Sequence, residues 1–162
     1  MKIYIMGPTG SGKTFLSNAL SKKYHINRYE LDKIVYNQNS LGTHKSNEEI
    51  NNDFEKIINQ NSWIIEDIGR TRFIKGREKS DKIYYLKRSP ITVYKQMILR
   101  WIRQKVGKED YNVKPTINHF FKNLSDVKAY FNIESSIINS LKEYQEKVIF
   151  LDKKQQVKLL KD

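Results

Sequence analysis

The sequence predicts an α/β fold in which five parallel strands form one sheet with helices on both faces. Three observations lead there. Five short, mostly apolar runs are separated by segments of helical periodicity, the alternation expected of a buried parallel sheet wound on both sides. The first run, Ile3 to Met6, opens straight into Gly7-Pro8-Thr9-Gly10-Ser11-Gly12-Lys13-Thr14, a complete G-x-x-x-x-G-K-[ST] pattern. No internal repeat, low-complexity tract or Pro/Gly/Ser linker interrupts the 162 residues, so one domain over 1–162 is expected.

The other strands are expected at Arg28 to Leu31, Trp63 to Asp67, Lys82 to Leu86 and Val148 to Leu151. Between them, Lys13 to Lys23 carries Phe15, Leu16, Ala19 and Leu20 at helical spacing, and Glu48 to Gln60 places Ile50, Phe54, Ile57 and Ile58 on one face. Ser89-Pro90 supplies an N-cap and a first-turn proline for a helix from Ile91 to Lys105. Ile133 to Gln145 repeats the amphipathic pattern, and a short helix comes after the last strand. Two stretches break the alternation. Val35 to Asn47 is polar and unpatterned, as a loop is. Val106 to Tyr130 contains Gly107, Pro115 and scattered aromatics, and its position suits a small helical lid over 106–130 that excludes water on closure.

The octet has a physical reading residue by residue. Gly7 and Gly12 let the backbone curl with its N–H groups inward, forming with Pro8, Thr9, Gly10 and Ser11 a nest for phosphate oxygens at the positive end of a helix dipole. Lys13 is placed to reach β- and γ-phosphates, and to face solvent when none is bound. Thr14 supplies a hydroxyl to a Mg²⁺ shell otherwise made of phosphate and water. Strand, loop and helix in this order mark the three-layer fold of P-loop NTPases, binding a nucleoside triphosphate. ATP is the expected one, since the Asn/Thr-Lys-x-Asp guanine signature is absent.

Acids and arginines decide how the bound triphosphate is spent. Glu30-Leu31-Asp32 closes the second strand with two acids on one side of an extended segment. Asp32 is the candidate to hold an acceptor hydroxyl or to orient water around Mg²⁺; a loop aspartate capping the next turn is the plainer role. The third strand delivers Glu66 and Asp67, which point oppositely, so one of them meets the metal, directly or through water. Glu66 is the choice. Arg70 comes immediately after and would grip an anionic acceptor bidentately, or form a surface ion pair. Arg100 and Arg103 share a helix face just ahead of the lid segment. There they would neutralise charge on a transferring phosphoryl group, or simply be solvated. Leu151-Asp152-Lys153-Lys154 either packs a nucleotide base or is a plain strand-to-helix turn. His25, His44 and His119 are isolated, with no metal-ligand spacing.

Composition narrows the rest. There is no cysteine, which excludes disulfides and thiolate metal sites. No run of about 18 apolar residues offers a membrane span, and Met1-Lys2 leads directly into the first strand with no room for a signal peptide; a cytoplasmic location is expected. The net charge is +12, and residues 70–108 hold 13 Lys/Arg against Glu78 and Asp81. Such a stretch is either a polyanion-binding face or the arginine supply of a nucleotide site on a chain rich in Lys, Asn and Ile.

With the loop, Glu30-Leu31-Asp32, Trp63-Ile64-Ile65-Glu66 with Arg70, and Arg100-Trp101-Ile102-Arg103-Gln104-Lys105 in view, the chain resembles the bacterial DNA topology modulation protein (FlaR) family, small adenylate-kinase-like P-loop enzymes. The resemblance implies an ATP- and Mg²⁺-dependent phosphotransferase acting on a small acceptor such as a nucleotide or nucleoside. Glu66-Asp67-Ile68-Gly69-Arg70-Thr71 looks like a degraded acid-Gly-Phe-Pro-Arg-Thr stretch of nucleotide kinases, which would set Glu66 in the Walker B place and Arg70 on the acceptor's phosphate. Asp67 and Gly69 depart from that pattern, and Gln96 stands where an i, i+4 partner of Arg100 would be a lid arginine. The alternative is a nucleotide-binding regulatory protein that contacts DNA through the basic stretch and influences DNA topology or gene expression, although these residues contain no DNA-reading element.

Overall fold

Along Lys2–Met6, Ile3 and Ile5 point to one face and Tyr4 and Met6 to the other, and all four are buried. A strand without a solvent face must run through the middle of a sheet covered on both sides. The computed structural model, which describes residues 1–37, 43–109 and 116–161, has that architecture. The chain runs β1 (Lys2–Met6), α1 (Lys13–Tyr24), β2 (Arg28–Glu30), α2 (Leu31–Val35), α3 (Asn47–Ile58) and β3 (Trp63–Asp67). A 3-10 turn (Thr71–Phe73) then leads into α4 (Ile74–Lys79), β4 (Lys82–Leu86), α5 (Pro90–Lys105) and α6 (Ile117–Ser140). A second 3-10 turn (Leu141–Tyr144), β5 (Val148–Leu151) and α7 (Lys153–Lys161) complete it. The sheet order is β2-β3-β1-β4-β5 with every pairing parallel.

Two apolar layers result from the alternation. Ile3, Ile5 and Ile64 pack with Leu16 and Leu20 of α1 and with Leu151, while Tyr4, Met6 and Ile65 pack with Phe54 and Ile58 of α3 and with Tyr130 and Ile137 of α6. Parallel strands end together. The loops after β1, β3 and β4 therefore share one edge, with β1 at the centre where outgoing connections diverge to opposite sides, the place where such sheets bind ligands.

Four elements differ from the expectation. The second strand stops at Glu30, because Leu31, Ile34 and Val35 bury one face of a helical turn; Asp32 therefore sits in the first turn of α2 and does not share a side with Glu30. The residues expected as a lid are only partly separate: 117–130 are the first half of the continuous 24-residue α6, where Val127 packs on Val93 and Met97 of α5. Residues 110–115 of that segment, and 38–42 of the loop after α2, lie outside the described residues. The helix expected from Ile133 to Gln145 is the second half of α6, ending in a 3-10 turn. The expected Ser89-Pro90 start is present, Ser89 accepting from Thr92 N with Pro90 in the first turn of α5, and Ser46 and Glu49 add a reciprocal capping box on α3.

The fourth difference, α4, carries no apolar periodicity in its six residues and is held by close approach. A Cβ on Gly76 would come 2.7 Å from Tyr4 Cε2 and 3.1 Å from Phe54 Cζ, both buried rings. Gly76→Ala is therefore expected to destabilise by roughly 1–3 kcal/mol through overpacking, despite an intrinsic helix preference for alanine of about 1 kcal/mol. Urea unfolding measures it, and a variant as stable as the parent would mean that α4 slides freely over the sheet. Among the described residues no helix is long and apolar enough to cross a membrane.

Candidate functional site

The loop between β1 and α1 is shaped by its glycines. Gly7 has φ +146°, and a Cβ there would lie 2.9 Å from Leu86 O at the end of β4, so only glycine lets the chain turn against the neighbouring strand. Gly12 has φ +94° and its carbonyl accepts from Leu16 N at 3.0 Å, starting α1. Ser11 is buried, and its Oγ has no protein partner. Lys13 is not solvent-facing: its ammonium donates to Gly7 O and Pro8 O, each at 2.9 Å. The curl that turns the loop back on itself brings these two carbonyls within reach. Burial lowers the pKa of Lys13, against the pull of Glu66, Asp32 and Asp67.

The alternation of β3 then divides the site. Glu66 points to the α1 side, where Thr14 Oγ1 donates to its Oε2 at 2.9 Å and Ser17 Oγ to its Oε1 at 3.1 Å. Arg28 Nη1 reaches the same Oε1 at 2.9 Å while holding Glu30 at 2.7 Å. Burial raises the pKa of Glu66, with the Thr14 hydrogen bond opposing. Among the described residues no group of three or more His, Cys, Asp or Glu could hold a metal. One hydroxyl and one carboxylate in contact nevertheless suit Mg²⁺, which keeps its waters and takes phosphate oxygens for the rest of its shell.

On the opposite side, Asp67 Oδ2 accepts from Gly69 N at 2.8 Å and Arg70 N at 2.7 Å, and Asp67 Oδ1 lies 3.5 Å from Arg70 Nη1. Asp67 thus fixes the turn that presents Arg70. The guanidinium, half-buried, pairs with exposed Asp32 and lies over the Phe73 ring at 5.7 Å. Burial opposes its charge, yet Asp67 and Asp32 raise its pKa. Asp32 and Arg70, distant in sequence, are brought together beside the loop after β3.

Arg100 and Arg103 are brought to each other but not to the loop: their Nε atoms bracket the Glu109 carboxylate at 3.0 and 2.9 Å. The part of α5 beside the loop is one turn earlier, where a Cβ on Gly10 would come 3.7 Å from Met97 and 3.9 Å from Gln96. The basic stretch 70–108 is not one surface, since Arg77 and Arg88 are buried and Arg72 is tied to Asn47 and Asn51 of α3.

Sequence reasoning missed four participants. Ser17 and Arg28 hold Glu66; Ser17 lies one turn beyond Lys13 on α1, a spacing that was legible, whereas Arg28 required the β2–β3 register. The others, Arg88 and Gln156, line a cavity of about 150 Å³ together with Ser11, Gly12, Phe15 and Lys153. Gln156 Nε2 donates to Gly12 O at 3.2 Å and its Oε1 accepts from Arg88, so the segment after β5 is joined to the loop.

No protein-family model matches the chain, and no curated protein does. Solved structures do. A gluconokinase from Sinorhizobium meliloti is similar at 13% identity and a TM-score of 0.57, over 99% of this chain and 87% of that one. A sugar kinase from a Janibacter species matches at 17% and 0.55, over 99% and 90%, and a shikimate kinase from Bacteroides thetaiotaomicron at 15% and 0.50, over 90% and 98%. None of these likenesses supports the topology modulation family in particular. At such identities they establish architecture alone: the chain has a P-loop NTPase-like three-layer α/β fold, shared with these three structures.

Proposed function

We propose that the protein transfers the γ-phosphoryl group of ATP, with Mg²⁺, to the hydroxyl of a small anionic acceptor. The observation that carries this reading is the division made by β3: a phosphate nest with Thr14 and Glu66 in contact on one side, and Asp32 paired with Arg70 on the other. Gly7 to Gly12 and Lys13 hold the phosphates, and the cavity by Arg88 and Gln156 takes the base. Thr14 and Glu66 would hold Mg²⁺, which would supply charge neutralisation at the phosphates. Arg70 grips the acceptor's carboxylate or phosphate as a fork. Asp32 accepts the hydroxyl proton as the oxygen bonds to γ-phosphorus and the bond to the β-phosphate oxygen breaks. Arg100 and Arg103, near the end of α5, join by exchanging Glu109 for the transferring group. A single cytoplasmic domain is the setting.

A kinase of gluconate, of a sugar and of shikimate share this architecture, so polyhydroxylated acids belong in the search beside nucleosides and nucleotides. γ-Labelled ATP with Mg²⁺ and such a panel is expected to give label on one acceptor class. Label released only to water would overturn the transferase reading in favour of a nucleotide-switched regulator. With the acceptor found, Arg70→Lys should keep the charge but lose the fork, reducing acceptor kcat/KM by roughly 1.5–3 kcal/mol. ATP affinity should hold; an equal loss of ATP binding would place Arg70 on the triphosphate.

A further inference from the structure

The free edge of the sheet carries a second concavity. Beside β2, which among the described residues pairs only with β3, a cleft of about 470 Å³ opens between α2 and α3, and none of its lining residues belongs to the phosphate loop or to the Asp32–Arg70 pair. That volume is in the range of small-ligand sites.

Its wall is built from two like units on an apolar floor. At one end Glu30 accepts from Arg28 at 2.7 Å and from Lys33 at 3.0 Å; at the other Asp53 takes Lys45 at 2.9 Å and Lys56 at 3.7 Å. Tyr29, Ile34 and Ile57 lie between, and the Tyr29 hydroxyl is fixed on Gln60 at 2.9 Å. Each carboxylate is shared by two cations. At the Glu30 end Arg28 also meets Glu66 at 2.9 Å, so two cations there face two carboxylates; at the other end Lys45 and Lys56 share Asp53, and Lys45 is held three-quarters covered, where solvent screening is reduced.

We propose that this cleft is an anion site separate from the phosphate loop, taking a small phosphate monoester whose apolar or ring-shaped body rests on Tyr29, Ile34 and Ile57. The Lys45–Lys56 end sets the charge preference and the floor sets the preference for an organic ester over the free ion. Arg28 also borders the main site, because the same Nη1 reaches Glu66 at 2.9 Å; an occupant that draws Arg28 is felt at the carboxyl end of β3. The site does not depend on phosphoryl transfer and is read by binding alone.

Site-resolved amide shifts test it, with phenyl phosphate, inorganic phosphate and phenol as probes on the full chain. Phenyl phosphate is expected to move the amides of Lys45, Lys56, Gln60 and Glu66 on one isotherm, distinct from any movement at Gly10 to Thr14. Inorganic phosphate should bind the cleft more weakly and phenol should leave it unmoved. The double variant Lys45→Ala/Lys56→Ala should weaken the cleft isotherm by roughly tenfold or more and leave that of the loop in place. Cleft amides that stay still, that track the loop on a single isotherm, or that respond unchanged in the double variant would each overturn the proposal.

Discussion

Lys13→Ala is expected to abolish turnover and to weaken triphosphate binding by roughly tenfold to a hundredfold, the loss of one or two charge-assisted hydrogen bonds. The fold should survive. In the free protein the ammonium holds Gly7 O and Pro8 O, while β1 and α1 on either side of the loop are held by the strand pairing and by the packing of Ile3, Ile5, Leu16 and Leu20. Burial also lowers the pKa of Lys13, so folding disfavours the charged form. Because the unfolded chain binds this proton more tightly, the group's contribution to stability rises with pH between its folded value and the ordinary one. Removing it should therefore leave the melting temperature equal or a little higher. The measurements are ATP affinity by calorimetry, label transfer, and thermal unfolding of the same preparation. Unchanged transfer would end the enzyme reading. A collapse in stability would instead make Lys13 a structural clamp on the loop.

Features that depend on short spacing are legible in the chain. Four of the five strands end at the residue expected, and the octet sets Gly7 to Thr14 on a strand-loop-helix turn without knowledge of the sheet order. Glu66 is preferred to Asp67 in the sequence only because neighbours on a strand diverge, and the structure gives that divergence its content: Glu66 lies against Thr14, while Asp67 fixes the turn before Arg70. Contacts across the sheet are not legible. Arg28 stands 38 residues from Glu66, and only the register of β2 on β3 pairs them. Glu30-Leu31-Asp32 alternates like a strand and so misplaces Asp32; the burial of Ile34 and Val35, which makes the segment helical, belongs to the core around it. For Arg100 and Arg103, helical spacing correctly puts them on one side of α5, but it carries no information about Glu109, which lies beyond the helix end.

Glu66 should give the largest combined effect, and two substitutions separate its roles. The side chain is 5% exposed and accepts from Thr14, Ser17 and Arg28 at once. Glu66→Ala strips the acceptor from a partly buried guanidinium and two hydroxyls, and should cost roughly 2–4 kcal/mol of stability. Glu66→Gln keeps the volume and one acceptor oxygen but removes the charge. Its stability loss should be smaller, because burial already raises the Glu66 pKa above 4.5 and the amide has no ionised form to desolvate. The pH dependence distinguishes them further. The folded parent binds this proton more tightly than the unfolded chain, so its stability without Mg²⁺ should fall as pH rises from about the ordinary carboxyl value through the raised one; Glu66→Gln should lack that slope. Under the proposed function the same variant leaves Mg²⁺ with Thr14 and phosphate oxygens alone. The Mg²⁺ concentration for half-maximal turnover should then rise roughly tenfold or more, on the order of one charge-assisted contact. A Gln variant that loses the pH slope yet keeps the parental Mg²⁺ requirement would show that Glu66 serves Arg28 and α1, and that the metal is held elsewhere along the carboxyl edge.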